Sequence, residues 1–72
     1  HPREVFCDPI KDRACAIVIA HNHPSGELKP SSEDIAVTKR IAASGETLGI
    51  AVLDHVIFSK RGFISLRDMG VL

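Results

Sequence analysis

The sequence predicts a small α/β domain, and three observations carry that prediction. Apolar residues recur at helical spacing over residues 2–14 and again from Ser32 to Ser44. Two apolar runs, residues 15–20 and 48–58, are rich in β-branched side chains and read as strands. Helix and strand signals alternate along the chain, as they do where helices pack on a sheet.

The first helix begins at Pro2, a residue suited to an opening helical turn, and spaces Phe6, Ile10 and Ala14 four apart. Pro9 lacks a backbone donor, so a kink or break is expected near Asp8. Cys15 to Ala20 is continuously apolar, the pattern of a central strand covered on both faces. Composition changes sharply at His21, and residues 21–31, with two prolines and Gly26, read as an ordered loop. That loop follows the C-terminal end of a strand, where α/β sheets tend to bind ligands.

The second helix should take Ser31 or Ser32 as its N-cap and end just before Gly45. Asp34, Val37, Thr38 and Ile41 share one face, which we assign to the interior, with Glu33 and Arg40 on the solvated side. Residues 48–58 form the second strand run, interrupted by Asp54 and His55. Ser59 to Gly62 should turn into a short strand over residues 63–66, and Ser65 should cap a last helical turn ending at Gly70.

Size and charge narrow the function. With 72 residues, 44% of them hydrophobic and 25% charged, the chain holds one core and one domain, spanning residues 1–72. It opens on His1 and Pro2 with neither an initiator Met nor a signal-like apolar run, so we expect a piece of a longer protein. Nine basic residues balance nine acidic ones, which argues against direct nucleic-acid binding by this segment or attraction to an anionic membrane. Cys7 and Cys15 lie among apolar residues and are expected as reduced core thiols. No run approaches the roughly 18 apolar residues of a membrane span, so a cytoplasmic setting is expected.

The chemistry concentrates between residues 21 and 34. Residues two apart on an extended segment point the same way, so the imidazoles of His21 and His23 can converge on one ion. Asp34 stands eleven residues beyond His23, in the first turn of the following helix and on its inward face. A lone His-x-His pair is often incidental, a lone Asp in a first turn often only offsets the helix dipole, and a lone Ser there is often only a cap. Their combination is what points to a metal. Three protein ligands with a fourth position open describe catalytic rather than structural zinc. Bound zinc lowers the pKa of water from about 16 towards about 7, which makes metal-assisted hydrolysis the natural reaction class. Two histidines and a carboxylate also suit iron, so ligand type alone leaves zinc and iron open. A zinc deaminase is set aside, because His23 stands where that chemistry needs glutamate and no paired cysteines follow.

The string His21-x-His23, seven residues, Ser31, two residues, Asp34 resembles the JAMM motif, H-x-H-x(7)-S-x-x-D, of the MPN-type metalloprotease superfamily at every named position. The wider text, HPREVF at residues 1–6, HNHPSG at 21–26 and LGIAVLDHVIFS at 48–59, is similar to the RadC family over essentially the whole chain. That resemblance implies the C-terminal portion of a three-layer α/β/α sandwich of the cytidine deaminase-like type. It implies one zinc held by His21, His23 and Asp34, with Ser31 as a catalytic residue hydrogen bonding the tetrahedral intermediate. It further implies metal-activated water attacking a peptide or isopeptide carbonyl of a protein substrate, or else a non-catalytic protein-binding or DNA-repair-associated module. The superfamily's general base is a glutamate on a strand preceding the HPREVF segment, and Glu4, Glu27 and Glu33 do not match it. Strand edges left open by such a fragment would favour association. Asp54 and His55, an adjacent acid and imidazole, could be catalytic or support a metal ligand, but neighbours in a strand face opposite sides, so both are left out of the site and expected in ordinary polar contacts at an edge or turn.

Overall fold

The computed structural model describes residues 2–72, so His1 lies outside the described residues. Five elements follow in order: α1 (Pro2–Lys11), β1 (Ala16–Asn22), α2 (Ser32–Leu48), β2 (Ala51–Ser59) and β3 (Gly62–Ser65). The strands form one mixed sheet in the order β1-β2-β3. β1 and β2 run parallel, joined through α2, while β2 and β3 form an antiparallel hairpin. Parallel neighbours need a crossover, and α2 supplies it.

Both helices bear on one face of the sheet. Phe6 of α1, Ile41 of α2 and Ile50 form the buried cluster, against which Val5, Ile17, Ile19 and Val52 pack. The expected α/β architecture is therefore present, with the core between helices and sheet. The opposite face carries Val18, Phe58 and Phe63 and has no helix over it among the described residues; Phe63 is 71% exposed.

Several local expectations change. α1 passes through Pro9 and ends at Lys11, where Arg13 takes a left-handed φ of 58°. Pro9 lies in the last turn and removes the one N–H that would meet the Val5 carbonyl, while the N–H groups of Asp12, Arg13 and Ala14 still bond the carbonyls of Asp8, Ile10 and Pro9 and close the helix. β1 is an edge strand in this sheet rather than a central one, and Cys7 and Cys15 are exposed rather than core thiols. Cys7 lies on the solvent side of α1, and Cys15 precedes β1 instead of sitting within it.

α2 continues through Gly45 to Leu48 and closes at Gly49, whose φ of 75° suits glycine. Gly45 is placed inside the helix for a different reason. A Cβ there would run into the carbonyl oxygen of Ile50, so only glycine lets the helix end lie against the start of β2. Thr38 and Ile41 face inward as expected, whereas Val37 is exposed. After β3, the Asp68 N–H donates to Ser65 Oγ at 3.1 Å, so Ser65 does cap the closing turn.

Candidate metal centre

The extended backbone of β1 runs through His21 and Asn22, further than the sequence suggests, and the His23 N–H continues the ladder by donating to Phe58 O at 2.9 Å. Both histidines therefore leave the mouth of the sheet on one side, with ring centroids 4.9 Å apart and planes at 87°. The chain then turns through residues 24–31 and enters α2 at Ser31.

Ser31 is the N-cap, and it forms a reciprocal capping box with Asp34. The Asp34 N–H donates to Ser31 Oγ at 3.0 Å, while the Ser31 N–H donates to Asp34 Oδ2 at 2.8 Å. Asp34 is thus fixed by the same bonds that start the helix. The Ser31 N–H, foremost, holds the Asp34 carboxyl below its ordinary value; partial burial opposes this, and the Ser31 hydroxyl and the two histidines reinforce it. Ser31 Oγ acts as an acceptor here, so its proton stays available to a ligand.

His21, His23 and Asp34 come together, each offering one ligand atom within 4.8 Å of the others. His23 Nε2 lies 3.4 Å from Asp34 Oδ2, and His21 Nδ1 lies 3.8 Å from Asp34 Oδ1. Tetrahedral bonds of about 2.0–2.1 Å separate neighbouring ligand atoms by about 3.3 Å, so the first pair already stands at ligand spacing. The other nitrogen of His23 faces the Glu27 carbonyl at 3.1 Å. A carbonyl only accepts, so Nδ1 carries a proton and Nε2 is the ring nitrogen turned towards the carboxylate. A ring nitrogen and a carboxylate oxygen at that distance can share one cation. The donor set of two nitrogens and one oxygen fits a zinc-type ion, with the residues forming one side of a shallow cleft of about 340 Å³ that also includes Pro24, Lys29 and Ser31.

Sequence reasoning missed the support beneath the site. His55 is not at an edge: it lies on β2, the central strand, is only 4% exposed, and stacks on His21 with centroids 5.9 Å apart. Burial, first, and the neighbouring His21 keep its imidazole below the ordinary value, against the pull of Asp34 and Asp54. The signal in the sequence was its place two residues before Ile57, on the same strand face. Asp54 points the other way, as strand alternation requires, and accepts from the Ser65 hydroxyl and the Arg67 N–H.

Comparison with known proteins shows the family. The family model described as the RadC-like JAB domain matches residues 1–71. The chain is 57% identical over its whole length to a UPF0758 protein of Methanospirillum hungatei, covering 32% of that protein. It is 56% identical to a UPF0758 protein of Moorella thermoacetica, again over the whole chain and 31% of the relative. A UPF0758 protein of Clostridium novyi is 54% identical over the same span, 32% of its length. The chain thus spans about a third of the length of these curated relatives. A mixed α/β sheet with its His-x-His strand end facing a capped Asp helix, matched from residue 1 to residue 71, makes this chain a member of the RadC-like JAB domain family.

Proposed function

We propose that this chain carries the zinc site of a JAMM-type hydrolase that cleaves a peptide or isopeptide bond in a protein substrate. The observation that supports this most directly is the convergence of His21, His23 and Asp34, with His23 Nε2 facing Asp34 Oδ2 at 3.4 Å. His21, His23 and Asp34 would hold the ion through two nitrogens and one oxygen. Zinc so held supplies Lewis acidity, both to a water and to a substrate carbonyl oxygen.

The remaining work falls to the chain's own groups. Glu27 O fixes the His23 tautomer, and the Ser31 N–H and hydroxyl fix Asp34, so the ligands need little rearrangement on binding. The Ser31 hydroxyl proton, free of an intramolecular acceptor in the capping box, can be donated to the oxyanion that develops on a substrate carbonyl. The cleft is open enough for an extended peptide to reach that hydroxyl, and His23 and Asp34, the less exposed ligands, line its floor.

The test is elemental analysis of the protein purified without chelator or added metal, beside Asp34→Ala prepared identically, followed by assay of the zinc-loaded chain, joined to an upstream segment that supplies the expected general-base glutamate, on peptide and isopeptide-linked substrates. About one zinc per chain, lost in the variant, with new amino groups released only by the unsubstituted protein, is the expected result. Absence of zinc in both preparations, even after zinc is added, would overturn the reading.

A further inference from the structure

The capping box fixes the Asp34 side chain relative to the start of α2, but it does nothing to hold α2 against the sheet that carries His21 and His23. A separate buried connection does. The Thr38 hydroxyl donates to the Asp34 carbonyl oxygen at 2.7 Å, one turn back along the helix. That hydroxyl has a single proton, so at 2.6 Å from His55 Nδ1 its oxygen is the acceptor and the ring is the donor. Thr38 is fully buried and His55 nearly so. His55 sits opposite Ile19 in the β1–β2 ladder, and its ring stacks on that of His21, two residues further along β1. One continuous path therefore runs from the backbone of one metal-ligand residue, through Thr38 and His55, to the ring of another.

The path has a cost that makes a purely packing role a poor account of it. With Nδ1 protonated, His55 Nε2 is an acceptor, and it is buried with no hydrogen-bond partner among the described residues. An aliphatic pair at positions 38 and 55 would fill the same space without stranding a polar atom. Buried polar groups held at such a cost are expected where position matters more than stability.

We infer that His55 is a positioning residue of the metal centre, acting through Thr38 to hold the Asp34 turn of α2 at ligand distance from the His21 end of β1. The inference rests on the metal-centre reading above and names residues outside the ligand set.

Zinc affinity, measured by competition with a chromophoric chelator, and the visible absorption spectrum of the cobalt-substituted protein test it. Thr38→Val keeps the side-chain shape and removes the bond, His55→Phe keeps a ring beside His21 and removes the bond, and Thr38→Ser keeps the hydroxyl. Thr38→Val and His55→Phe should bind zinc about ten- to a hundredfold more weakly, as loss of a supporting hydrogen bond around a ligand does, and should shift the cobalt bands. Thr38→Ser should bind zinc and show cobalt bands as the unsubstituted protein does. Should Thr38→Val not fold, His55→Phe supplies the same comparison. A merely structural pair would lower the thermal midpoint of the metal-free variants while leaving zinc affinity and cobalt bands unchanged, and that result would overturn the inference alone. Failure of the unsubstituted protein to bind zinc or cobalt would instead overturn the metal-centre reading and the inference together.

Discussion

Ser31 and Asp34 bind each other twice, side chain to backbone in both directions, at 3.0 and 2.8 Å. The same two residues begin a helix and shape a ligand. The Ser31 N–H anchors Asp34 Oδ2, which keeps a second lone pair for the side facing His23, and Oδ1 is left facing His21. Local helix physics therefore prepares the carboxylate before any ion arrives.

That dual role predicts a divided outcome for Ser31→Ala. Loss of the cap should cost about 0.5–2 kcal/mol of stability, readable as a lower urea midpoint. Asp34 keeps its bond from the residue-31 N–H, so the variant should still hold one zinc per chain. In a longer protein that supplies the expected general-base glutamate, activity on a peptide substrate should fall by about 10²–10³-fold, the usual effect of removing one oxyanion donor. Full activity in a zinc-loaded Ser31→Ala protein would exclude the donor role.

Replacing a ligand should act differently. His21→Ala, His23→Ala and Asp34→Ala each remove one of three donor atoms, and each should lose zinc during purification while the apo protein stays folded. Elemental analysis with circular dichroism separates the two effects. Stoichiometric zinc in His21→Ala, the most exposed of the three, would remove that residue from the ligand set.

Much of this was legible in the sequence, and the limits have physical reasons. The order of helices and strands follows from local periodicity, and the spacing of His21, His23, Ser31 and Asp34 pointed to the residues that the fold brings together. Gly45 misleads because a glycine near a helix end resembles a terminator, whereas its true constraint is the Ile50 carbonyl, a contact between segments. Cys15 and Val18 mislead because an apolar run does not say which strand has a neighbour on each side. His55 could not be assigned a supporting role from sequence because its partner Thr38 lies seventeen residues away, on another element.

The Gly45 contact gives a prediction opposite in sign to helix propensity. At an exposed helix interior, Gly→Ala gains up to about 1 kcal/mol. Here the added methyl meets the Ile50 carbonyl, and Phe6 and Val52 close the remaining sides at 3.2 and 3.3 Å. Gly45→Ala should therefore be destabilising by about 1–3 kcal/mol, as overpacking is, and urea unfolding should show a lower midpoint with an unchanged slope. A stabilised variant would mean that α2 can move away from β2 at no cost.

Asp54 supplies a pH test that is independent of the metal. Burial pushes its carboxyl up, but bonds from the Ser65 hydroxyl and from the Arg67 and His55 N–H groups outweigh that, so the net direction is down from 3.8. A carboxyl whose folded value lies below its unfolded one stabilises the protein fully above the unfolded value, and the contribution is lost as pH falls through the folded one. Unfolding midpoints measured from pH 7 down to pH 2 should therefore drop below about pH 4 in the unsubstituted protein. Asp54→Asn should start lower at pH 7, because an amide meets these three donors with only one acceptor atom, and should lose less on acidification. Parallel curves for the two proteins over that range would show that the bonds joining β2 to the turn after β3 carry no charge-dependent stability.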